Sequence, residues 1–183
     1  MFKIITTTIS YGNNLIKKYY PVNDLRNIMQ NIDAYLENMD TLFLELYREF
    51  QKQPTVARDN LPPFGGIYVF YQNERPIYVG RADNIRKRIQ LHTRPSSGSE
   101  SANFAFNLAK LDFIEKLSET KFGRKELMKD EDFIKAFSGH KEMLFASTIK
   151  CIRVDNDIIQ TMFEPYLALK LGTYPKNNCF KNH

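Results

Sequence analysis

The most constraining feature of this sequence is the stretch from Gly65 to Gly80, GGIYVFYQNERPIYVG. Two runs of β-branched and aromatic residues flank a polar segment, which is a pattern typical of a β-hairpin. Because side chains alternate across a strand, Tyr68 and Tyr78 share a face if the connection holds an odd number of residues, such as Gln72 to Glu74. The hairpin then presents two phenols side by side near its open end, where the glycines leave the backbone open to a ligand.

The segment that follows the hairpin is predicted to be a helix carrying a cation and an imidazole. Ile85, Ile89 and His92 recur at helical spacing, and Asp83 is the predicted N-cap. Arg88 and His92 are four residues apart, so their side chains are neighbours on the helix surface. The pattern therefore places both side chains beside the two phenols.

These residues resemble the GIY-YIG nuclease family. The family signature is a Gly-Ile-Tyr strand, a Tyr-Ile-Gly strand and then a helix with an Arg and, four residues on, a His or Tyr. A later helix supplies a Glu, and an Asn usually follows it. The matching positions in this sequence are Gly66-Ile67-Tyr68, Tyr78-Val79-Gly80, Arg88, His92, Glu164 and, less closely, Asn178. Val79 in place of Ile is a conservative departure.

The resemblance implies an α+β fold, with a small, three-stranded, mainly antiparallel sheet flanked by helices. It also implies a catalytic set of five residues. These are Tyr68, Tyr78, Arg88, His92 and Glu164. Glu164 would hold Mg²⁺ or Mn²⁺, since a hard divalent ion is held by one carboxylate and several waters.

In that set Arg88 would bind the phosphate, while the two tyrosines and His92 surround the attacking water. Which of these three is the general base stays open, because a phenol needs its pKa lowered and an imidazole does not. We favour Tyr68 as the base, with Tyr78 and His92 orienting the water.

The positive charge of the chain is concentrated on the motif. Between Glu74 and Arg94 there are six basic residues and two acidic ones, whereas from Val22 to Phe50 there are two basic and six acidic. A local positive field of this kind favours binding of a polyanion such as DNA. The residues predicted to contact nucleic acid are Arg81, Arg86, Lys87, Arg94 and Asn178.

The domain organisation predicted from the sequence has two parts. Residues 1–62 form a mostly helical N-terminal extension, and residues 63–183 form the nuclease-like domain, with a helical insertion at about 102–146. In the extension, apolar residues from Leu25 to Phe50 recur at helical spacing, with a break predicted at Asn38 to Thr41. The stripe is either an intramolecular core face or a contact between two copies of the chain.

Other elements are predicted from periodicity and from breaker residues. Thr93 to Ser101 is a polar loop that either contacts nucleic acid or only connects two helices. The insertion contains helices at 102–117 and within 130–146, the second interrupted or ended near Gly139. A strand at 147–154 leads into a helix capped within 155–157, which is kinked or begins anew at Pro165.

Composition excludes several other classes of protein. A hydrophobic content of 43% fits a globular chain, and no apolar run approaches the ~20 residues of a membrane span. Two cysteines without metal-ligand spacing argue against a disulfide framework or a structural zinc site, which favours a reduced, cytoplasmic setting. No organic cofactor and no membrane partner are expected.

The sequence therefore favours a divalent-metal-dependent DNA endonuclease of restriction or defence type. A homing or DNA-repair nuclease is the nearest alternative, and a catalytically inactive nucleic-acid-binding module is a third. A site of this type cuts one strand, so a double-strand break favours a homodimer on a twofold-symmetric target.

Overall fold

A three-stranded antiparallel sheet lies at the centre of the structure, a computed structural model that describes residues 32–113 and 122–178. Its strands are β1 (Gly66–Gln72), β2 (Arg75–Ala82) and β3 (Thr148–Arg153). The strand order is β2-β1-β3, and β1 pairs antiparallel with both neighbours. The predicted α+β fold class, with a small antiparallel sheet flanked by helices, is confirmed.

Six α-helices surround this sheet in the described part of the chain. They are α1 (Ile32–Lys52), α2 (Ile85–Thr93), α3 (Asn103–Asp112), α4 (Arg124–Leu127), α5 (Glu131–Ala146) and α6 (Asp157–Lys170). None of the described helices is long and apolar enough to cross a membrane.

The two faces of β1 bury two different cores, as the alternation of its side chains requires. Ile67 and Val69 pack with apolar residues of α1 and α6 on one face. Tyr68 and Phe70 pack on the other face with residues of α2, α3 and α5. The aromatic face of the hairpin therefore lies under the helices of the predicted insertion.

Helix α1 uses its apolar stripe as a core face. The buried residues of the stripe are Met39, Leu42, Phe43, Leu46 and Phe50. The predicted break at Asn38 to Thr41 is wrong, because α1 runs through it without interruption. Members of the stripe before residue 37 lie outside the described side chains.

The two tyrosines lie on one face of the hairpin because of a bulge that was not predicted from the sequence. Asn73 and Glu74 have φ angles of 49° and 63°, as a two-residue type I′ turn requires. That turn alone would place Tyr78 opposite Val69. A register shift next to Tyr71 instead pairs Phe70 with Tyr78, so Tyr78 joins Tyr68. The shared face is confirmed, but a one-residue bulge in β2 replaces the odd-numbered connection.

Several features of the helices differ from the prediction. Asn84, and not Asp83, caps α2, because β2 extends to Ala82 and the Asn84 side chain accepts from the Lys87 N–H at 2.9 Å. Helix α5 continues through Gly139, and α6 continues through Pro165. Packing of both helices outweighs these local breaker signals. In the first predicted insertion helix, α3 ends at Asp112.

Polar contacts cover both edge strands of the sheet. Asn178 is buried and bonds the backbone of Val79 twice, accepting from its N–H at 3.0 Å and donating to its carbonyl at 2.7 Å. At the other edge, Val56 and Ile149 exchange two backbone hydrogen bonds. Both contacts satisfy edge groups that would otherwise be exposed to pairing with another chain.

Gly80 is required by the position of the Tyr68 ring. A Cβ atom at this position would collide with the Tyr68 hydroxyl and lie 2.5 Å from its Cζ atom. The backbone of β2 therefore passes directly across the ring, and any side chain at Gly80 would displace it.

We expect Gly80→Ala to lower the free energy of unfolding by about 1–3 kcal/mol, because the ring must move within a packed core. Gly139→Ala is the matched control, since a Cβ there meets nothing within 4 Å in the interior of α5. That change should raise stability by about 0.5–1 kcal/mol. Urea unfolding of the two variants measures both effects, and equal stabilities would contradict the steric account.

Candidate active site

A pocket of about 560 Å³ lies at the open end of the hairpin, between α2, β2 and α6. Six predicted site residues line it. They are Tyr68, Tyr78, Arg81, Lys87, Arg88 and Glu164. These side chains come from the sheet, from α2 and from α6, so the fold joins two blocks that are distant in sequence.

Tyr68, Tyr78 and His92 form a compact aromatic group, in which the two tyrosines line the pocket and the fully buried His92 does not. The ring centroids lie 6.3 Å apart for Tyr68 and Tyr78, and 6.0 Å apart for each tyrosine and His92. The Tyr68 hydroxyl and His92 Nε2 are 2.9 Å apart. Phe104 of α3 stacks on Tyr78 at 4.2 Å, which holds the second phenol from the far side.

His92 is a neutral imidazole in this setting. Burial, with a smaller contribution from Arg88, lowers the pKa of His92 to about 3. Its Nδ1 atom is buried without a hydrogen-bond partner among the described residues. Because an orphaned buried N–H is rarer than an orphaned lone pair, we assign the proton to Nε2. His92 then donates to the Tyr68 oxygen.

Both tyrosines are neutral phenols in the free protein. Burial raises the pKa of Tyr68 well above its usual value of 10, and the neighbouring Tyr78 and Glu164 act in the same direction. Arg88 opposes this shift through its charge and a hydrogen bond to Tyr68. Burial, followed by Glu164, raises the pKa of Tyr78 to about 12.

Glu164 lies in the middle of α6, and its side chain lines the pocket. Its side chain is 16% exposed and pairs with Arg81, whose Nε lies 3.3 Å from Oε2. Burial raises the pKa of this carboxyl, while Arg81 and then Arg88 oppose the shift. The charge of Glu164 is therefore matched by arginine on the wall of the same pocket.

The donor set fits a hard divalent ion held mainly by water. Glu164 presents one carboxylate to a pocket with room for several waters and for the phosphate oxygens of a substrate. Among the described residues, no three His, Cys, Asp or Glu side chains cluster where they could hold a metal ion. Such a cluster is not needed for an ion that keeps most of its waters.

The family comparison agrees with this geometry. Residues 64–146 match the family model described as the GIY-YIG catalytic domain. This segment is therefore similar to GIY-YIG catalytic domains. The match covers the hairpin, α2 and the helices up to α5, and the resemblance stated from the sequence is confirmed.

Two relatives share part of this sequence. An 84-residue segment is 31% identical to UvrABC system protein C of Deinococcus radiodurans and covers 46% of this chain and 13% of the relative. A 37-residue segment is 43% identical to the protein of the same name from Aquifex aeolicus. It covers 20% of this chain and 6% of that relative. The chain thus spans a small part of each relative's length. No solved structure matches the chain significantly.

The remaining predicted residues lie outside the pocket lining. Arg86 is exposed and donates to the Leu61 carbonyl at 2.7 Å, and Arg94 is exposed beyond the end of α2. Asn178 has both polar groups of its side chain bonded to Val79. In this structure Asn178 therefore stabilises β2 rather than facing the pocket, and the contacts of all three with nucleic acid stay predictions.

Sequence reasoning missed five residues of the site. Ala82, Asp83, Asn84 and Leu91 line the pocket, and Phe104 stacks on Tyr78. The first four lie between the end of β2 and the end of α2, and treating every residue from 81 to 92 as a candidate would have included them. Phe104 reaches the site only through the packing of α3, for which the sequence carries no signal.

We expect the buried neutral state of His92 to make the protein sensitive to acid. The unfolded imidazole takes up a proton below a pKa of 6.5, whereas the folded one does so only near 3. Stability is therefore lost as the pH falls below 6.5, by about 1.4 kcal/mol per pH unit from this group. Between pH 7.5 and 5.0, urea unfolding should show a wild-type loss about 2 kcal/mol larger than that of His92→Gln. Equal losses would mean that His92 titrates normally.

Proposed function

We propose that this protein is a divalent-metal-dependent DNA endonuclease that hydrolyses phosphodiester bonds in the hairpin pocket. The observation that carries the proposal is the convergence of Tyr68, Tyr78, Arg88 and Glu164 on one cavity. Phosphodiester hydrolysis needs an activated water, a cation on the non-bridging oxygens and help for the leaving oxygen. This set of side chains supports each of these requirements.

The positive side of the pocket suits a phosphate group. Arg81, Lys87 and Arg88 line it together, and the charge of Arg88 acts on the Tyr68 phenol, where it favours the ionised form. An arginine presents a planar fork of donors that matches two phosphate oxygens. Arg88 therefore binds the scissile phosphate next to the phenol in this proposal.

Glu164 would hold the divalent ion, Mg²⁺ or Mn²⁺. When bound, the ion would supply charge stabilisation for the phosphate oxygens. The ion pair between Arg81 and Glu164 uses the Oε2 atom of the carboxylate, and the Oε1 atom would be the ligand for the cation. Arg81 is half-exposed on the pocket wall, where its remaining donors would face a phosphate.

Tyr68 is the proposed general base. Its oxygen accepts from His92 Nε2, and a hydrogen bond donated to a phenol oxygen and a nearby positive charge, here that of Arg88, both stabilise the phenolate. Burial opposes ionisation, so the phenolate forms only when cations gather at the pocket. His92 stays neutral and orients Tyr68, while Tyr78 orients the water.

The finer biological assignment also remains a proposal. A restriction or defence role, in the cytoplasm and with a homodimer on the DNA, is our preferred use of the site. The buried face of α1 from Met39 to Phe50 packs within the chain, so a dimer must use other surfaces. A nuclease for DNA repair or homing would use the same pocket.

We expect Glu164→Gln to abolish cleavage of supercoiled plasmid in Mg²⁺ while DNA affinity stays within a few-fold of wild type. The change removes the charge that holds the metal but leaves the basic pocket wall intact. Glu142→Gln, the same change on the exposed surface of α5, is the control and should cleave normally. Plasmid cut by wild type in EDTA, or by Glu164→Gln at full rate, would refute the metal assignment.

We expect Lys87→Ala and Arg94→Ala to weaken DNA binding unequally. Lys87 lines the pocket and Arg94 does not, so Lys87 should be the stronger phosphate contact. Fluorescence anisotropy at several salt concentrations should show that loss of one phosphate contact flattens the salt dependence of log Kd by about one unit. Unchanged salt dependence in both variants would mean that the DNA phosphates do not contact α2.

A further inference from the structure

The buried side chain of Lys141 forms hydrogen bonds with the loop between α2 and α3. It lies on α5, is 6% exposed, and its Nζ atom sits 4.6 Å from the centre of the Phe137 ring. Nζ donates to the carbonyls of Pro95 at 2.6 Å and Ser97 at 3.2 Å. A buried ammonium is costly unless it is hydrogen-bonded, so these carbonyls are the groups that make its burial tolerable.

The same loop meets two further cations along its length. Arg124 of α4 stacks on the Phe106 ring at 3.9 Å and donates to the Ser99 carbonyl at 2.6 Å. Arg88 donates to the Ser101 carbonyl at 3.2 Å. Alternate carbonyls of the loop, at residues 95, 97, 99 and 101, thus face three cationic side chains in turn.

The last of these contacts reaches the pocket. Arg88 donates to the Ser101 carbonyl, and its charge acts on the Tyr68 phenol of the pocket. A guanidinium is planar and its donors have a fixed geometry, so holding one of them restricts the direction of the rest. The position of Ser101 therefore determines how the Arg88 fork faces the pocket.

We propose that Lys141 and Arg124 are positioning residues for Arg88. They act through the carbonyls of residues 95–101, so that helices α4 and α5, which contribute no residue to the pocket lining, set the geometry of the phosphate-binding side chain. The catalytic consequence rests on the proposed nuclease function, whereas the positioning itself does not.

The kinetic test compares Lys141→Met with Lys135→Met. Methionine keeps the length and the packing over Phe137 but removes the donors, and Lys135 offers the same change on the exposed face of the same helix. Misplacement of Arg88 should lower kcat on a labelled DNA duplex about tenfold, with KM within about twofold of wild type. Lys141→Arg, which keeps the donors, should restore most of kcat, and Lys135→Met should equal wild type.

A double-mutant cycle separates positioning from a general loss of structure. If the loop acts through Arg88, Lys141→Met should cost about tenfold in the wild-type background and almost nothing in the Arg88→Ala background, measured under single-turnover conditions. The same factor in both backgrounds would overturn the proposal. If Lys141→Met does not fold, Arg124→Met enters the same cycle with the same expectation.

A structural readout keeps the proposal testable if the wild type cleaves no DNA, an outcome that would refute the proposed function alone. The Nε–Hε signal of Arg88 in the ¹⁵N NMR spectrum, assigned by its absence in Arg88→Ala, reports the guanidinium directly. It should shift or broaden in Lys141→Met and in Arg124→Met, and stay unchanged in Lys135→Met. An unchanged signal in both loop-anchor variants would overturn the positioning role.

Discussion

The pairing of Phe70 with Tyr78 is the constraint on which the site depends. A two-residue turn without the bulge would turn Tyr78 to the opposite face of the sheet, into the core formed with α1 and α6. The extra residue in β2 instead places both phenols under α2 and α3. A bulge next to a functional site is a recurrent way of aiming a side chain, and here one inserted residue brings the second phenol to the pocket.

Close packing then converts this register into a defined pocket. Gly80 lets the Tyr68 ring lie against β2. The Phe104 ring stacks on the Tyr78 ring. Burial keeps both phenols and His92 neutral, so in the free protein the charges at the pocket are those of arginine, lysine, Asp83 and Glu164. The low polarity that disfavours ionised phenols also strengthens any interaction with a bound phosphate.

The hairpin could be predicted from the sequence because its residues are close in the chain, whereas the bulge that sets the register of Tyr78 could not. The positions of Tyr68, Tyr78, Arg88 and Glu164 followed from the hairpin, from helical spacing and from the family resemblance. Phe104, Lys141 and Arg124 could not be predicted, since their contacts depend on how α3, α4 and α5 fold back over the hairpin. The continuity of α1, α5 and α6 was missed because tertiary packing overrode local breaker signals.

The central claim is that the Tyr68 oxygen takes part in phosphodiester hydrolysis, and Tyr68→Phe tests it most directly because the ring and its packing are retained. Single-turnover cleavage of a DNA duplex in Mg²⁺ is the measurement, with thermal unfolding and DNA affinity as controls. The account predicts a fall in rate of at least about 100-fold with both controls close to wild type. Cleavage at the wild-type rate by Tyr68→Phe would contradict it.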